Sequence, residues 1–188
     1  MQPRSVHLWT MILSLALAGL ACDLSVSGPT PPGSPIPVST EAAGQLAELW
    51  KNAVANASNG EVSVIVTEAQ LTSYLDLKLS EQTNPPLRDV QVYLRDSKIH
   101  IYGTAKAGGV STTALVSLAV TITPEGSAQF SIEKADFGPV PVPAELLSSL
   151  SSTLNEALTG QLGSLATGIK IKSVLIADGN MGIIGTVK

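Results

Sequence analysis

Residues 110–123 read VSTTALVSLAVTIT, and their alternation decides the fold class. Val110, Thr112, Ala114, Val116, Leu118, Val120 and Ile122 share one face of an extended chain. Ser111, Thr113, Ser117, Thr121 and Thr123 share the other. A period of two with one apolar and one polar face describes a long strand buried on one side, the habit of antiparallel sheets. Downstream, Pro124-Glu125-Gly126 supplies turn residues, and Ala128, Phe130 and Ile132 resume the alternation, so a hairpin is expected here.

Upstream, residues 90–106, VQVYLRDSKIHIYGTAK, alternate about Asp96-Ser97, and residues 172–188, KSVLIADGNMGIIGTVK, do the same about Asp178-Gly179. The two stretches echo each other: Val92 matches Val174, Asp96 matches Asp178, Ile101 matches Ile183, Gly103 matches Gly185 and Thr104 matches Thr186. A duplicated unit leaves such an echo, and so do two hairpins with the same requirements. Either way, two further hairpins are expected.

Three segments change the period from two to between three and four. After the stiff connector Gly138-Pro-Val-Pro-Val-Pro143, residues 144–165 place Leu147, Leu150, Leu154, Leu158, Leu162 and Leu165 on one stripe, with serine, threonine and asparagine opposite. Pro143 suits the first turn of that helix, and Gly160 and Gly163 predict a kink or an early end. Residues 39–60 carry Ala43, Leu46, Ala47, Trp50 and Val54 at helical spacing, with Ser39 or Thr40 as N-cap, Trp50 facing inward and Asn59-Gly60 as the stop. The β-branched run EVSVIV at 61–66 reads as a strand. Thr67 and Gln70 have the spacing of a capping box, and Leu71, Tyr74, Leu75 and Leu79 follow on one side before Asn84-Pro85-Pro86 closes the helix. The expected fold class is therefore α+β, an antiparallel sheet with one apolar face covered by amphipathic helices.

The N-terminus follows other rules. Residues 1–21 hold one basic residue, Arg4, an apolar run from Leu8 to Leu20, and small residues before Cys22, the layout of a secretory signal. The run is shorter than the roughly 20 residues that span a bilayer as a helix. Ala18-Gly19-Leu20-Ala21-Cys22 resembles the bacterial lipobox, in which the cysteine receives a diacylglycerol before cleavage. Ala21 fits that pattern, whereas Gly19 and Leu20 stand where leucine and a small residue are usual. Ordinary signal cleavage near Ala18 or Ala21 is the alternative, and it would leave the chain's single cysteine as an exposed thiol. Residues 22–38 form the expected tether, with prolines at 29, 31, 32, 35 and 37. That composition favours an extended polyproline spacer that would lift residues 39–188, a single domain, above the membrane.

Charge and chemistry-bearing residues narrow the function classes. The chain has a formal net charge of −4, and loss of Arg4 with the signal makes it one unit more negative, so it has no electrostatic footprint for nucleic acid. Downstream of the signal the one histidine is His100, set between Ile99 and Ile101 and so facing outward on a strand. A lone histidine without a second histidine or a cysteine beside it supplies no zinc set. Ser148, Ser149, Ser151 and Ser152 lie on the polar face of a helix without a nucleophile elbow. Asp96 and Asp178 sit at turn positions that favour aspartate for geometry alone. Gly108-Gly109 lacks the lysine of a phosphate loop, and Asn56-Ala57-Ser58 matches a glycosylation acceptor by spelling only. No catalysis and no cofactor are expected. What stands out is apolar surplus: 44% of residues are hydrophobic and 4% aromatic, which suits a closed core and an acyl-chain groove equally.

Taken together, the lipoprotein signal, the strand running into Thr67-Glu-Ala-Gln-Leu71, the hairpin at 90–106, the 138–143 connector, the leucine helix and the closing Asp178-Gly179 hairpin resemble small bacterial TULIP-like lipoproteins. The similarity is to the YceB-like, YpmS-like and LmeA-like groups, akin to half of a bactericidal/permeability-increasing protein, and covers residues 61–188. The resemblance implies a curved antiparallel sheet wrapped around a long amphipathic helix, here with additional N-terminal helices, and acyl chains lodged between them. The groove wall would then be Val116, Leu118 and Val120 from the strand, Leu147, Leu150, Leu154 and Leu158 from the helix, and Leu71 and Leu75 at one end. Two functions remain in view. One is an exported envelope lipoprotein, anchored through Cys22 to the outer face of the cytoplasmic membrane or to another envelope membrane, that binds or shuttles a phospholipid or glycolipid. The other is an anchored scaffold or accessory protein with a closed core.

Overall fold

The computed structural model describes residues 24–57, 59–107, 109–142, 144–165 and 168–187. Cys22, Ser58, Gly108 and Pro143 therefore lie outside the described residues, as do the side chains of Leu162 and Leu165. In chain order the elements are β1 Leu24–Val26, α1 Thr40–Ala55, β2 Glu61–Thr67, α2 Glu68–Ser80, β3 Arg88–Arg95, β4 Lys98–Ala107, β5 Val110–Ile122, β6 Ala128–Asp136, α3 Ala144–Leu165, β7 Ile169–Ala177 and β8 Asn180–Val187.

The described residues are α+β, with a strongly curled antiparallel half-barrel and three helices. The strand at 110–123 is its centre. β5 pairs with β4 on one side along Val110–Leu118, and on the other with β6 along Leu115–Ile122. The inward residues run straight across the strands: Val92 faces Ile101, Ile101 faces Val116, Ile99 faces Leu118 and Leu118 faces Ile132. Val92, Ile99, Ile101, Val116 and Leu118 are fully buried, so the alternation does place one face in the core. The opposite face is drier than a wet face, because Ser117 and Tyr93 are buried as well.

Both echoed hairpins form. Asp96 and Ser97 have φ of 53° and 59°, and Asp178 and Gly179 have 47° and 79°, the positive pair a two-residue I′ turn needs to match strand twist. The matched positions also pair alike, Val92 with Ile101 and Val174 with Ile183. One feature differs from a single curved sheet. β7 and β8 join β2 in a separate three-stranded sheet of order β2-β8-β7, while β3, β4, β5, β6 and β1 form the five-stranded one. The reason is that β2, too far from its partner for any local turn to announce it, pairs with the last strand, Val64 opposite Ile183.

The sheets are stitched at two points. Ile171 N–H donates to the Gly126 carbonyl at 2.8 Å, and Gly179 N–H to the Leu94 carbonyl at 3.2 Å. Gly126 has φ of 81°, and a Cβ there would collide with the Lys170 side chain, so the stitch needs glycine.

The helices start where their caps dictate. Ser39 Oγ accepts from Ala42 N–H at the start of α1. Thr67 and Gln70 form a complete capping box for α2. In α1, Leu46 and Trp50 are buried as the spacing requires, and the Trp50 indole N–H meets no acceptor among the described residues. α3 continues through Gly160 and Gly163 to Leu165, so the expected early end does not occur. It packs against β6 and touches α1, which in turn packs on α2 and β2.

The proline-rich segment is not a free spacer over its described length. β1 pairs in parallel with the start of β5, Leu24 opposite Val110 and Val26 opposite Thr112. Farther on, Ile36 N–H donates to Gln91 Oε1 at 2.6 Å, Gln91 Nε2 donates back to the Ile36 carbonyl at 3.2 Å, and the Tyr93 hydroxyl donates to the Ser34 carbonyl at 3.4 Å. Polyproline-like chain makes no hydrogen bonds within itself. Its non-proline backbone groups are thus available to side chains on the outer face of β3, and residues 24–38 form a strap along the domain.

Candidate functional site

The residues expected to wall a groove meet in one hydrophobic cluster. Leu71 and Leu75 from α2, Val116 and Leu118 from β5, and Leu150, Leu154 and Leu158 from α3 are each 1% exposed or less. Val120 and Leu147 are half-buried, with Val120 packed against the same cluster. On α3 the buried positions recur every four residues, while Ser148, Ser149 and Ser152 face outward, so the helix closes against the fold by a single leucine seam. Ser152 Oγ donates to the Ser149 carbonyl and Asn155 Nδ2 to the Ser151 carbonyl, both at 3.0 Å. Both bonds stay within the helix and would travel with it.

α2 is held differently. Leu94 N–H donates to Glu68 Oε1 at 2.7 Å, Val92 N–H to Thr72 Oγ1 at 2.9 Å, and Val90 N–H to Asp76 Oδ1 at 2.7 Å. Residues 68, 72 and 76 stand one helical turn apart and lie along one line of the helix. Residues 90, 92 and 94 present alternate N–H groups on the edge of β3 away from β4. The ladder satisfies the donors of an edge strand that would otherwise offer itself to another chain. Glu68 also pairs with Arg95, and Ser73 Oγ accepts from Ser39 N–H at 3.1 Å, tying the start of α1 to α2. The spacing in the sequence singles out Leu71, Tyr74, Leu75 and Leu79 as one side of α2. The polar stripe at 68, 72 and 76 is visible in the sequence, but its meaning depends on which strand edge lies beside it.

Two pockets lie at the end of the sheet where β3 begins. One, of about 310 Å³, is lined by Asp76, Ser80, Gln82, Pro85, Leu87, Arg88 and Asp89. The other, of about 270 Å³, lies between Pro85, Arg88, Thr104 and Lys106 on one side and Leu146 and Ser149 of α3 on the other. Neither of these two is lined by any of the nine groove residues.

The residues considered for chemistry stand on separate elements. His100 Nδ1 lies 2.9 Å from Ser117 Oγ across the β4–β5 pair, so the imidazole is half-buried rather than open on the surface. Asp96 and Asp178 hold positive-φ turn positions, each in its own hairpin. Among the described residues no three or more histidine, cysteine, aspartate or glutamate side chains cluster as a metal site. No helix among them is long and apolar enough to cross a membrane. Burial raises the pKa of the Tyr93 phenol, which the strap and the edge of Tyr102 cover at 5.6 Å between ring centres.

No family model, curated protein or solved structure matches this chain.

Proposed function

We propose that this protein is a lipid-anchored envelope protein that takes an acyl chain of a phospholipid or glycolipid between α3 and the curled sheet, without catalysis. The supporting observation is the contrast in how two of the covering helices, α2 and α3, are attached. α2 is pinned to β3 by three side-chain bonds to backbone. Among the described side chains of α3, Leu150, Leu154 and Leu158 are the fully buried ones, with Leu146 packed on the same core. A seam held by apolar burial opens at a cost that an incoming acyl chain repays in kind, because burial is non-directional and scales with apolar area. Trp50, on the helix that touches α3, keeps a buried indole N–H that meets no acceptor among the described residues, a group that an ester carbonyl would satisfy. The TULIP-like arrangement, with sheet wrapped around helix, belongs to this reading. So does acylation at Cys22.

The test is extraction of the mature, detergent-purified chain followed by mass spectrometry. The expected result is about one diacyl lipid per chain beyond the covalent anchor, and uptake of a fluorescent phospholipid that Leu154→Asp abolishes. An empty protein that takes up no fluorescent lipid contradicts the proposal.

A second reading has an observation in its favour. Seven of the nine wall residues are already fully buried against the protein itself, as in a closed-core scaffold. That reading predicts the empty outcome, together with a protein partner recovered by cross-linking in intact envelopes.

A further inference from the structure

β1 fixes which way the domain faces its membrane. It runs parallel to β5, so Leu24 lies beside Val110, where β5 leaves its turn from β4. The same end of the sheet carries the finish of β4 at Lys106 and the start of β3 at Arg88, which stands opposite Thr104. The other end carries the β3–β4 turn at Asp96-Ser97 and, stitched beside it through Gly179 and Leu94, the β7–β8 turn.

The leash to the anchor is short. Two peptide steps separate Cys22 from Leu24, and extended chain spans at most about 3.6 Å per residue, or roughly 7 Å in all. The strap cannot lengthen it cheaply. Beyond the β1 pairing, it is held by the Gln91 amide and the Tyr93 hydroxyl. Gly28 also runs so close to β5 that a Cβ there would overlap the Thr113 carbonyl. Prolines that would have raised the domain on a stalk instead lie against it.

We infer that the domain stands end-on at the bilayer, with Arg88, Thr104, Lys106 and the β4–β5 turn at headgroup level and the turns at 96–97 and 178–179 pointing away. This rests on the proposed acylation of Cys22. The partner is a lipid surface. Both pockets lie at this end, and one of them runs between Arg88, Lys106 and the first turns of α3. Two cations and the start of the leucine seam thus meet the headgroups together, and a lipid leaving the bilayer enters where α3 begins. Along β4, Lys98 and Lys106 are eight residues apart, about 26 Å at strand rise, so the two ends are resolvable by depth.

The experiment uses the full, acylated chain in vesicles of phosphatidylethanolamine and phosphatidylglycerol. Acylation occupies the chain's single cysteine, so an introduced thiol is the one site that takes a fluorophore. Lys106→Cys reports the proposed near end and Ala177→Cys the far end, with Ser111→Cys as a second near-end probe should the first variant fold poorly. Headgroup-labelled quencher lipid is expected to quench the near-end probes at least threefold more than the far-end probe. Intact mass is read first. An acylated chain with equal quenching, or stronger quenching at 177, overturns the end-on orientation while leaving the anchor standing. A chain without acyl mass overturns the anchor and the orientation with it.

Discussion

α2 and α3 both cover the apolar interior, and they do so by different chemistry. α2 spends its side chains at 68, 72 and 76 on the backbone of β3, while Leu71, Leu75 and Leu79 fill the core beside them. Directional bonds fix register, so α2 cannot slide or lift without leaving the N–H groups of Val90, Val92 and Leu94 unpaired. α3 carries serines on its outer face and leucines on its inner one, and the Ser152–Ser149 and Asn155–Ser151 bonds lie within it. Apolar contact tolerates exchange of one apolar partner for another. On the proposed function, the difference gives a single core one cover built to stay and one suited to being displaced.

The largest expected effect breaks the fixed cover. Leu75 is 0% exposed, and Leu75→Ala is expected to destabilise by about 3–5 kcal/mol in urea unfolding, since a pinned helix cannot move in to fill the hole. Leu154→Ala removes the same atoms from α3 and is expected to cost less, about 2–3 kcal/mol, because α3 can settle into the cavity. Equal losses at the two positions would erase the distinction between the helices. Next in size, Thr72→Val keeps the shape of a fully buried side chain and removes the acceptor for Val92 N–H. A loss of about 1–3 kcal/mol is expected from the stranded donor, with lipid uptake unchanged.

The smallest effect concerns the turn that feeds α3. The Gly138 N–H, 3.0 Å from Asp136 Oδ1, holds the Asp136 carboxyl below its ordinary pKa, with Lys134 adding to the shift. A lowered folded value means that the contribution is present above the unfolded pKa and is lost as pH falls through the folded one. Asp136→Asn is therefore expected to be slightly less stable at neutral pH, with a shallower decline of melting temperature below the ordinary carboxylate range. An unchanged acid limb would show that this turn contributes nothing.

How much of this was legible in the sequence follows from how far apart the interacting groups lie. The 110–123 alternation, the Asp96-Ser97 and Asp178-Gly179 turns and the Thr67–Gln70 box are local, and each formed as its residues require. That Leu150, Leu154 and Leu158 share one apolar stripe was equally plain from their spacing. What was not legible depends on partners far along the chain. Proline content suggested a stalk because nothing near residues 24–38 announces Gln91 and Tyr93, more than fifty residues away. The pairing of β2 with β8, and the polar ladder of α2, are hidden for the same reason. Whether a leucine seam is a closed core or a lipid site is not a matter of distance at all. Both use the same residues at the same spacing, and only the mode of attachment separates them.

Hydrogen exchange of the mature protein, with and without bound phosphatidylglycerol, tests the central claim most directly. Amides of α3 are expected to exchange by local opening at a free energy well below that of global unfolding. Those of α2 should exchange only with global unfolding, and lipid should slow α3 while leaving α2 unchanged. If α2 and α3 exchange together at the global free energy, and lipid protects neither, α3 is a permanent wall of a closed core.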